Sequence, residues 1–239
     1  VVPCGVNLTR FRPVGRIKAR QTLGLNQNEK ILLYVGRFTP LKGIDRLLKT
    51  MTFLRNNGRP RLLIIGGDGK DTLEFKKLQK MASGFGISDM IRFAGRVEQN
   101  DLPNYYSAAD LLVVSSYHES FGLVALEALA CGTHVVATDV GGMRIIIDES
   151  RTGAVIKNND PDIFAKKISR FLSTPGDKTA SAESTRASIL RFGWPNIAEA
   201  ILGEYRVALD EHKIVPYAGL NVKERRLEKI NPISSHTSL

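Results

Sequence analysis

The sequence predicts an α/β protein built on a doubly wound parallel sheet, and three observations lead to this prediction. Short apolar runs rich in β-branched residues alternate with amphipathic helical patterns along most of the 239 residues. Most of these runs are continuously apolar, which is typical of strands covered on both faces. The chain is 43% apolar and long enough to bury a sizeable core. Alternation of this kind indicates a parallel sheet.

Each strand is predicted from one apolar run. The strands span Ile31–Gly36, Arg61–Gly66, Ile91–Gly95, Leu111–Ser116, His134–Thr138 and Ala154–Lys157. Sheets of this class bind ligands at the carboxyl ends of their strands, near the topological switch point. The loops that directly follow the strands are therefore the places where we expect functional residues.

The helices are predicted from apolar residues spaced three and four apart. The clearest set is Ile44, Leu47, Leu48, Met51 and Leu54. Further helices are predicted near Leu73–Ala82, Leu102–Ala108 and Asn196–Leu209, and one more starts at Asp160-Pro161, an acidic N-cap before proline. Residues 1–209 are thus predicted as one domain, and the polar residues 210–239 as a C-terminal tail or packing arm.

Composition restricts the partners and the location. The formal charge of +10 indicates an anionic partner, such as a nucleotide, a nucleic acid or an acidic membrane. The basic residues are scattered and the aromatic residues do not interleave with them, which argues against nucleic acid. No apolar run approaches the roughly 20 residues that span a bilayer. Cys4 and Cys131 form neither a disulfide framework nor a metal cluster, so a cytoplasmic location is expected.

Two cations follow the first strand. Arg37 and Lys42 would lie at the edge of the sheet, where a planar guanidinium and a compact ammonium suit a diphosphate. The alternative is that both are ordinary surface cations beside a helix start.

The turn after the second strand is rich in glycine. The sequence Gly66-Gly67-Asp68-Gly69 can bring the backbone close to a ligand. It matches neither the dinucleotide-binding pattern nor the P-loop, which disfavours dehydrogenases and P-loop NTPases.

The most informative segment follows the fourth strand. Ser120 is predicted as the N-cap of a helix that runs to about Cys131. The free backbone N–H groups near Phe121, Gly122 and Leu123 are then expected to bind an anion, aided by the helix dipole.

The same segment carries two glutamates. Glu119 suits the hydroxyls of a hexose and Glu127 those of a ribose, because a carboxylate accepts two hydrogen bonds well. A preference for acidic residues at helix starts accounts for Glu119 better than for Glu127. Glu127 lies on an otherwise apolar stretch and is expected to have a partner.

Other polar residues carry weaker signals. Arg96, after the third strand, either borders a nucleotide base or is a solvated surface residue. His118 and His134 are more often structural than catalytic in such positions. Asp160-Pro161-Asp162 has the form of a metal-binding D-x-D motif but is interpreted as a helix cap.

With seven residues between them, Glu119 and Glu127 resemble the E-x7-E motif of GT-B retaining glycosyltransferases, particularly glycosyltransferase family 4. Further features agree in order and spacing, namely Gly5-Val6-Asn7, Gly36-Arg37 with Lys42-Gly43, Gly66-Gly67-Asp68-Gly69, and Gly141-Gly142. The resemblance covers roughly residues 1–209. It implies a Rossmann-like fold, the C-terminal, nucleotide-sugar-binding half of a GT-B enzyme.

The resemblance also implies roles for the matching residues. Arg37 and Lys42 would bind the donor diphosphate and stabilise its charge as it leaves, and Glu119 would contact the donor sugar. Donor binding would further involve Gly67, Arg96, Ser120, Phe121, Gly122, Leu123 and Glu127. No metal and no cofactor beyond the nucleotide-sugar donor would be required.

Within that family the sequence is most similar to the mycothiol-pathway N-acetylglucosaminyltransferase and sucrose-phosphate synthase types, which favours a UDP-sugar. The resemblance implies a separate N-terminal domain for an acceptor of unknown identity. The basic character suggests peripheral contact with the inner face of a membrane, and liposome flotation would test this. A GT-B-type nucleotide-sugar epimerase and a non-catalytic anion-binding or nucleic-acid-binding domain stay open as alternatives.

Overall fold

All six predicted strands form. The computed structural model describes residues 2–67, 69, 72–173 and 178–213. The strands are β1 Ile31–Val35, β2 Arg61–Ile65, β3 Ile91–Gly95, β4 Leu111–Val114, β5 Val135–Thr138 and β6 Gly153–Ile156. They make one sheet in the order β3-β2-β1-β4-β5-β6, and every neighbouring pair is parallel. The predicted doubly wound parallel fold is therefore confirmed.

The strand order places the switch point between β1 and β4. The chain builds outward from β1 to β3, then crosses to the other side of β1 and builds outward from β4 to β6. In the register of the central pair, Leu32 lies beside Leu111 and Leu33 beside Leu112. The loops after β1 and β4 consequently leave the same edge of the sheet side by side, where ligands bind in this class of fold.

Helices cover both faces of the sheet. They are α1 Arg16–Thr22, α2 Ile44–Leu54, α3 Leu73–Gly84, α4 Leu102–Ala108, α5 Leu123–Ala130, α6 Met143–Ile146, α7 Pro161–Ser173, α8 Lys178–Ala187 and α9 Trp194–Lys213. Periodicity did not predict α1, α6 or α8. These helices are short or polar, so an apolar stripe is not what identifies them.

Alternate residues along each strand belong to two separate apolar clusters. One cluster holds Leu33 and Leu112 and packs against α1, α4, α5 and α6. The other holds Leu32 and Leu111 and packs against α2, α3 and α7. This explains why the strands read as continuous apolar runs, since both faces of each strand are buried.

A buried arginine ties α1 to the amino edge of the sheet. The Arg20 side chain is fully buried and donates hydrogen bonds to the carbonyls of four residues and to Asp110 Oδ2 at 3.0 Å. The carbonyls belong to Asn26, Gln27, Glu29 and Ala108. Asp110 Oδ2 also accepts the Ile31 N–H at 2.8 Å, at the start of β1. Burial lowers the pKa of Arg20, and the neighbouring Asp110 carboxylate partly offsets that effect.

The chain divides into two compact units, residues 1–201 and 202–239. The described part of the second unit continues α9 to Lys213, four residues beyond the predicted helix end. The predicted domain boundary after residue 209 stays a prediction, because most of the predicted tail lies outside the described residues. Among the described helices, none combines the length and apolarity needed to cross a bilayer.

Candidate functional site

The loops after β1 and β4 are joined by hydrogen bonds. The Tyr117 N–H donates to the Leu41 carbonyl at 2.8 Å, and Ser115 Oγ donates to the Lys42 carbonyl at 3.3 Å. Arg46, in the first turn of α2, donates from Nε to the Tyr117 hydroxyl at 2.6 Å. The two loops that were predicted to carry function therefore form one connected structure.

Lys42 and Glu119 form an ion pair at this junction. Lys42 Nζ lies 2.5 Å from Glu119 Oε1, and Ser116 Oγ donates to the same oxygen at 2.8 Å. The Glu119 side chain is only 11% exposed and that of Lys42 23%. The structure thus brings Lys42, which is predicted to bind the diphosphate, into direct contact with Glu119, which is predicted to bind the sugar.

The close approach of the two loops requires a glycine. Gly43 has a φ of 62°, and a Cβ built on it would lie 2.0 Å from the Ser115 carbonyl oxygen. That oxygen accepts a hydrogen bond from Asn159 Nδ2, in the loop after β6. Asn159 Oδ1 is buried and without a hydrogen-bond partner among the described residues. Sequence analysis missed Asn159, although a polar residue just beyond a predicted strand was an available signal.

The predicted N-cap of α5 is wrong. The helix begins at Leu123 with Gly122 as N-cap in a left-handed conformation, φ 107°, and Ser120 is an exposed residue before it. A Cβ on Gly122 would lie 2.5 Å from Met143 Cε, so packing and backbone conformation together select glycine. The N–H groups of Leu123 and Val124 precede the first N–H that bonds within the helix, that of Ala125, and lie at the positive end of the helix.

Phe121 lies two residues before the first residue of this helix and is fixed by two contacts. Its carbonyl accepts the Gly142 N–H at 3.0 Å, and its ring lies against the Phe192 ring at 6.3 Å between centroids. Phe121 is half-buried and Leu123 is exposed. The predicted anion site around these residues stays a prediction.

Glu127 has the partner that the sequence required. It is half-buried on α5, and Tyr106 of α4 donates its hydroxyl to Glu127 Oε2 at 2.7 Å. Burial raises the pKa of the Glu127 carboxyl, while the Tyr106 hydrogen bond and the positive charge of Arg10 act in the opposite direction. Burial raises the pKa of Tyr106 well above its ordinary value, so the phenol stays protonated and donates.

Comparison with known proteins identifies the family. Residues 15–188 match the family described as glycosyl transferases group 1. This chain belongs to that family. The predicted resemblance to GT-B glycosyltransferases is thereby confirmed for the family and for the fold.

Individual relatives support the assignment to the group 1 family. It is 40% identical over 220 residues to D-inositol 3-phosphate glycosyltransferase of Streptomyces scabiei, covering 89% of this chain and 49% of the relative. The structure of sucrose-phosphate synthase from Thermosynechococcus elongatus matches with a TM-score of 0.78 and 35% identity, covering 88% and 52%. The C-terminal domain of LpcC from Francisella tularensis matches with a TM-score of 0.66 and 26% identity, covering 77% and 96%. The chain therefore spans about half the length of the first two relatives.

Other predicted site residues of this group 1 domain lie near the same edge but outside the ion pair. Arg37 is exposed, and its carbonyl accepts the Tyr34 hydroxyl at 3.0 Å. Arg96 is exposed in the loop after β3, and Gly67 is buried against the Phe38 ring. Their predicted roles stay predictions. Asp68 of the glycine-rich turn lies outside the described residues.

Two of the residues with weaker sequence signals, His134 and Asp160, make structural contacts. His134 lies at the amino edge, opposite the site, with Nε2 3.1 Å from Ser181 Oγ. Asp160 Oδ1 accepts the N–H groups of Asp162 and Ile163, which makes it the cap of α7. The described residues contain no group of three or more His, Cys, Asp or Glu side chains placed to hold a metal.

Glu127→Gln is expected to make unfolding less favourable at alkaline pH. Because the folded-state pKa of Glu127 is raised, the native protein binds more protons than the unfolded chain between the ordinary and the raised value. Stability contributed by the protonated form is thus present at low pH and is lost as pH rises through the folded pKa. Glutamine still accepts the Tyr106 hydrogen bond and carries no charge.

Urea denaturation at pH 4 and pH 8 checks this expectation. The increase in the free energy of unfolding of Glu127→Gln over wild type should be larger at pH 8 than at pH 4. Glu74→Gln, at an exposed position on α3, controls for the removal of one negative charge. A gain that is equal at both pH values, or matched by the control, would contradict the assigned cause.

Proposed function

We propose that this chain is the donor-binding domain of a retaining glycosyltransferase that moves a hexosyl unit from a nucleotide sugar, with UDP favoured as the nucleotide. One observation carries the proposal: the Lys42–Glu119 pair lies at the carboxyl edge of the sheet at its switch point, directly before α5, the helix that bears Glu127. The cation and the free helix N–H groups suit a diphosphate, and the carboxylates suit sugar hydroxyls. The family membership supports the same reading.

Each residue has a distinct chemical role in this proposal. Lys42 and Arg37 bind the diphosphate, and they stabilise the negative charge that grows on it as the bond to the sugar breaks. The N–H groups at the start of α5 receive a phosphate oxygen. Glu119 accepts hydrogen bonds from the hexose and Glu127 from the ribose. The proposal involves no metal ion and takes Lys42, Arg37 and the helix N–H groups as the counter-charges to the diphosphate.

Retention of configuration follows from a front-face displacement. The bond from the anomeric carbon to the donor phosphate breaks, and the bond to the acceptor oxygen forms on the same face of the sugar. The acceptor proton passes to the leaving phosphate. The protein contributes position and electrostatic stabilisation, which is where most catalytic power of this kind originates.

The whole enzyme extends beyond these groups. We place acceptor binding in an N-terminal domain, consistent with relatives about twice as long as the match. A cytoplasmic location with peripheral contact to an anionic membrane stays a prediction. The epimerase alternative gains no support, since none of the relatives described above is named as an epimerase.

Calorimetric titration with UDP and GDP tests the proposal. Wild type is expected to bind UDP more tightly than GDP, and Glu127→Ala should weaken UDP binding about tenfold or more, because hydrogen bonds to a charged group are lost. Glu74→Ala, which removes an exposed glutamate from α3, should leave UDP affinity unchanged. Wild-type protein that binds neither UDP nor GDP would contradict the proposed function. Equal losses of UDP affinity in Glu127→Ala and Glu74→Ala would contradict it as well.

A further inference from the structure

Two buried serines follow β4 directly, and each bonds to a different part of the Lys42–Glu119 pair. Ser115 and Ser116 are 1% and 2% exposed. Ser115 Oγ donates to the main-chain carbonyl of Lys42, whereas Ser116 Oγ donates to the side chain of Glu119 at 2.8 Å. These hydroxyls directly follow a central strand that is hydrogen-bonded to β1 on one side and to β5 on the other.

The hydrogen bonds on Glu119 are unevenly distributed between its two oxygens. Ser116 Oγ and Lys42 Nζ both donate to Oε1. No described residue donates to Oε2, and this oxygen is not among the fully buried atoms without a partner, so it reaches the surface of the site. An ionised carboxylate has about four acceptor positions, which leaves Oε2 with capacity for ligand hydroxyls.

The two donors to Oε1 differ in what a bound diphosphate would do to them. Lys42 carries its ammonium on a flexible four-carbon stem, and a diphosphate is a stronger anion than a single carboxylate. On the proposed function, the donor therefore draws Lys42 towards the phosphates. Ser116 carries no charge and has one short rotatable bond from a buried main chain, so its hydrogen bond to Glu119 persists.

We propose that Ser116 is a positioning residue that holds Glu119 with Oε2 facing the hexosyl group of the donor. This inference rests on the proposed function and deepens it. Ser116 touches no substrate in this arrangement. Its hydrogen bond keeps Glu119 in place when Lys42 turns from Glu119 to the diphosphate. The effect of Ser116 is therefore confined to the sugar half of the donor.

The test compares ligands with and without the sugar. Wild type and Ser116→Ala are titrated calorimetrically with UDP, UDP-glucose and UDP-N-acetylglucosamine. We expect Ser116→Ala to weaken binding of at least one UDP-sugar about threefold to tenfold, the effect of one lost hydrogen bond, while UDP affinity stays within about twofold. Ser116→Thr retains the hydroxyl and should recover most of the sugar-dependent affinity.

Ser107→Ala is the matched control. Ser107 is also a buried serine, and its Oγ accepts the Val14 N–H at 3.2 Å, away from the site. This variant should leave the ratio of UDP-sugar to UDP affinity at the wild-type value, and thermal unfolding of all variants shows whether each is folded.

Two results would overturn the inference in different ways. Wild-type protein that binds neither UDP nor a UDP-sugar removes the proposed function, and the role of Ser116 with it. Wild-type protein that binds both, with an unchanged affinity ratio in Ser116→Ala or equal losses for UDP and UDP-sugar, removes the positioning role alone.

Discussion

Lys42→Ala is expected to weaken UDP binding by about tenfold to a hundredfold. The ammonium lies at the junction of the two loops, where it contacts Glu119, four residues before the start of α5, and where the diphosphate is proposed to bind. A hydrogen bond to a charged group contributes about 1.5–3 kcal/mol, which corresponds to this range of affinity. Titration of UDP at constant ionic strength measures the loss.

Part of that loss comes from the carboxylate left behind. Without Lys42, Glu119 is a nearly buried anion facing a diphosphate, so the double variant Lys42→Ala/Glu119→Gln should bind UDP more tightly than Lys42→Ala alone. Lys49→Ala, which removes an exposed lysine from α2, controls for overall charge. If Lys49→Ala reduces UDP affinity as much as Lys42→Ala does, the loop after β1 is not the diphosphate site.

Arg20→Met is expected to lower the free energy of unfolding by about 3–5 kcal/mol. The substitution removes the guanidinium that lies 3.0 Å from Asp110 Oδ2 and leaves this carboxylate buried beside the start of β1, with Arg16 Nη2 farther away at 3.5 Å from Oδ1. It also deprives four carbonyl oxygens of their donor. Removing one partner of a buried ion pair typically costs about this much, because the remaining buried charge loses its nearest counter-charge.

Urea denaturation of Arg20→Met measures the effect. Arg59→Met breaks the Arg59–Asp89 pair, in which both side chains are 60% exposed, and should change the midpoint little. Since Arg20 lies at the amino edge, the folded fraction of Arg20→Met should retain its UDP affinity. A midpoint shift no larger than that of Arg59→Met would show that this network does not stabilise the fold as argued.

The sequence predicted the strands closely because burial on both faces makes a strand continuously apolar. Strands such as Ile31–Val35 and Arg61–Ile65 are apolar at nearly every position, and a run of that kind has few other interpretations. The same holds for α2 and α7, whose apolar residues follow the helical period. Helix α1 escaped prediction because its main buried anchor is Arg20, which no hydrophobic pattern identifies.

The start of α5 shows how local rules can fail. Serine at a helix start is a good general predictor of an N-cap, and Ser120 fits that rule. The chain instead enters the helix through Gly122, because its left-handed φ of 107° and the close approach of Met143 favour a residue without a side chain. Contacts from about twenty residues away selected the cap.

By itself the sequence determined the fold class, the family resemblance and the loops in which functional residues lie, because apolar periodicity and motif spacing are properties of neighbouring residues. Only the tertiary structure decided which polar groups meet. Lys42 and Glu119 are 77 residues apart in sequence, and Tyr106 and Glu127 are 21 apart. The first pair depends on the order of strands in the sheet, which brings β1 beside β4, and the second on the packing of α4 against α5, and no local pattern encodes either.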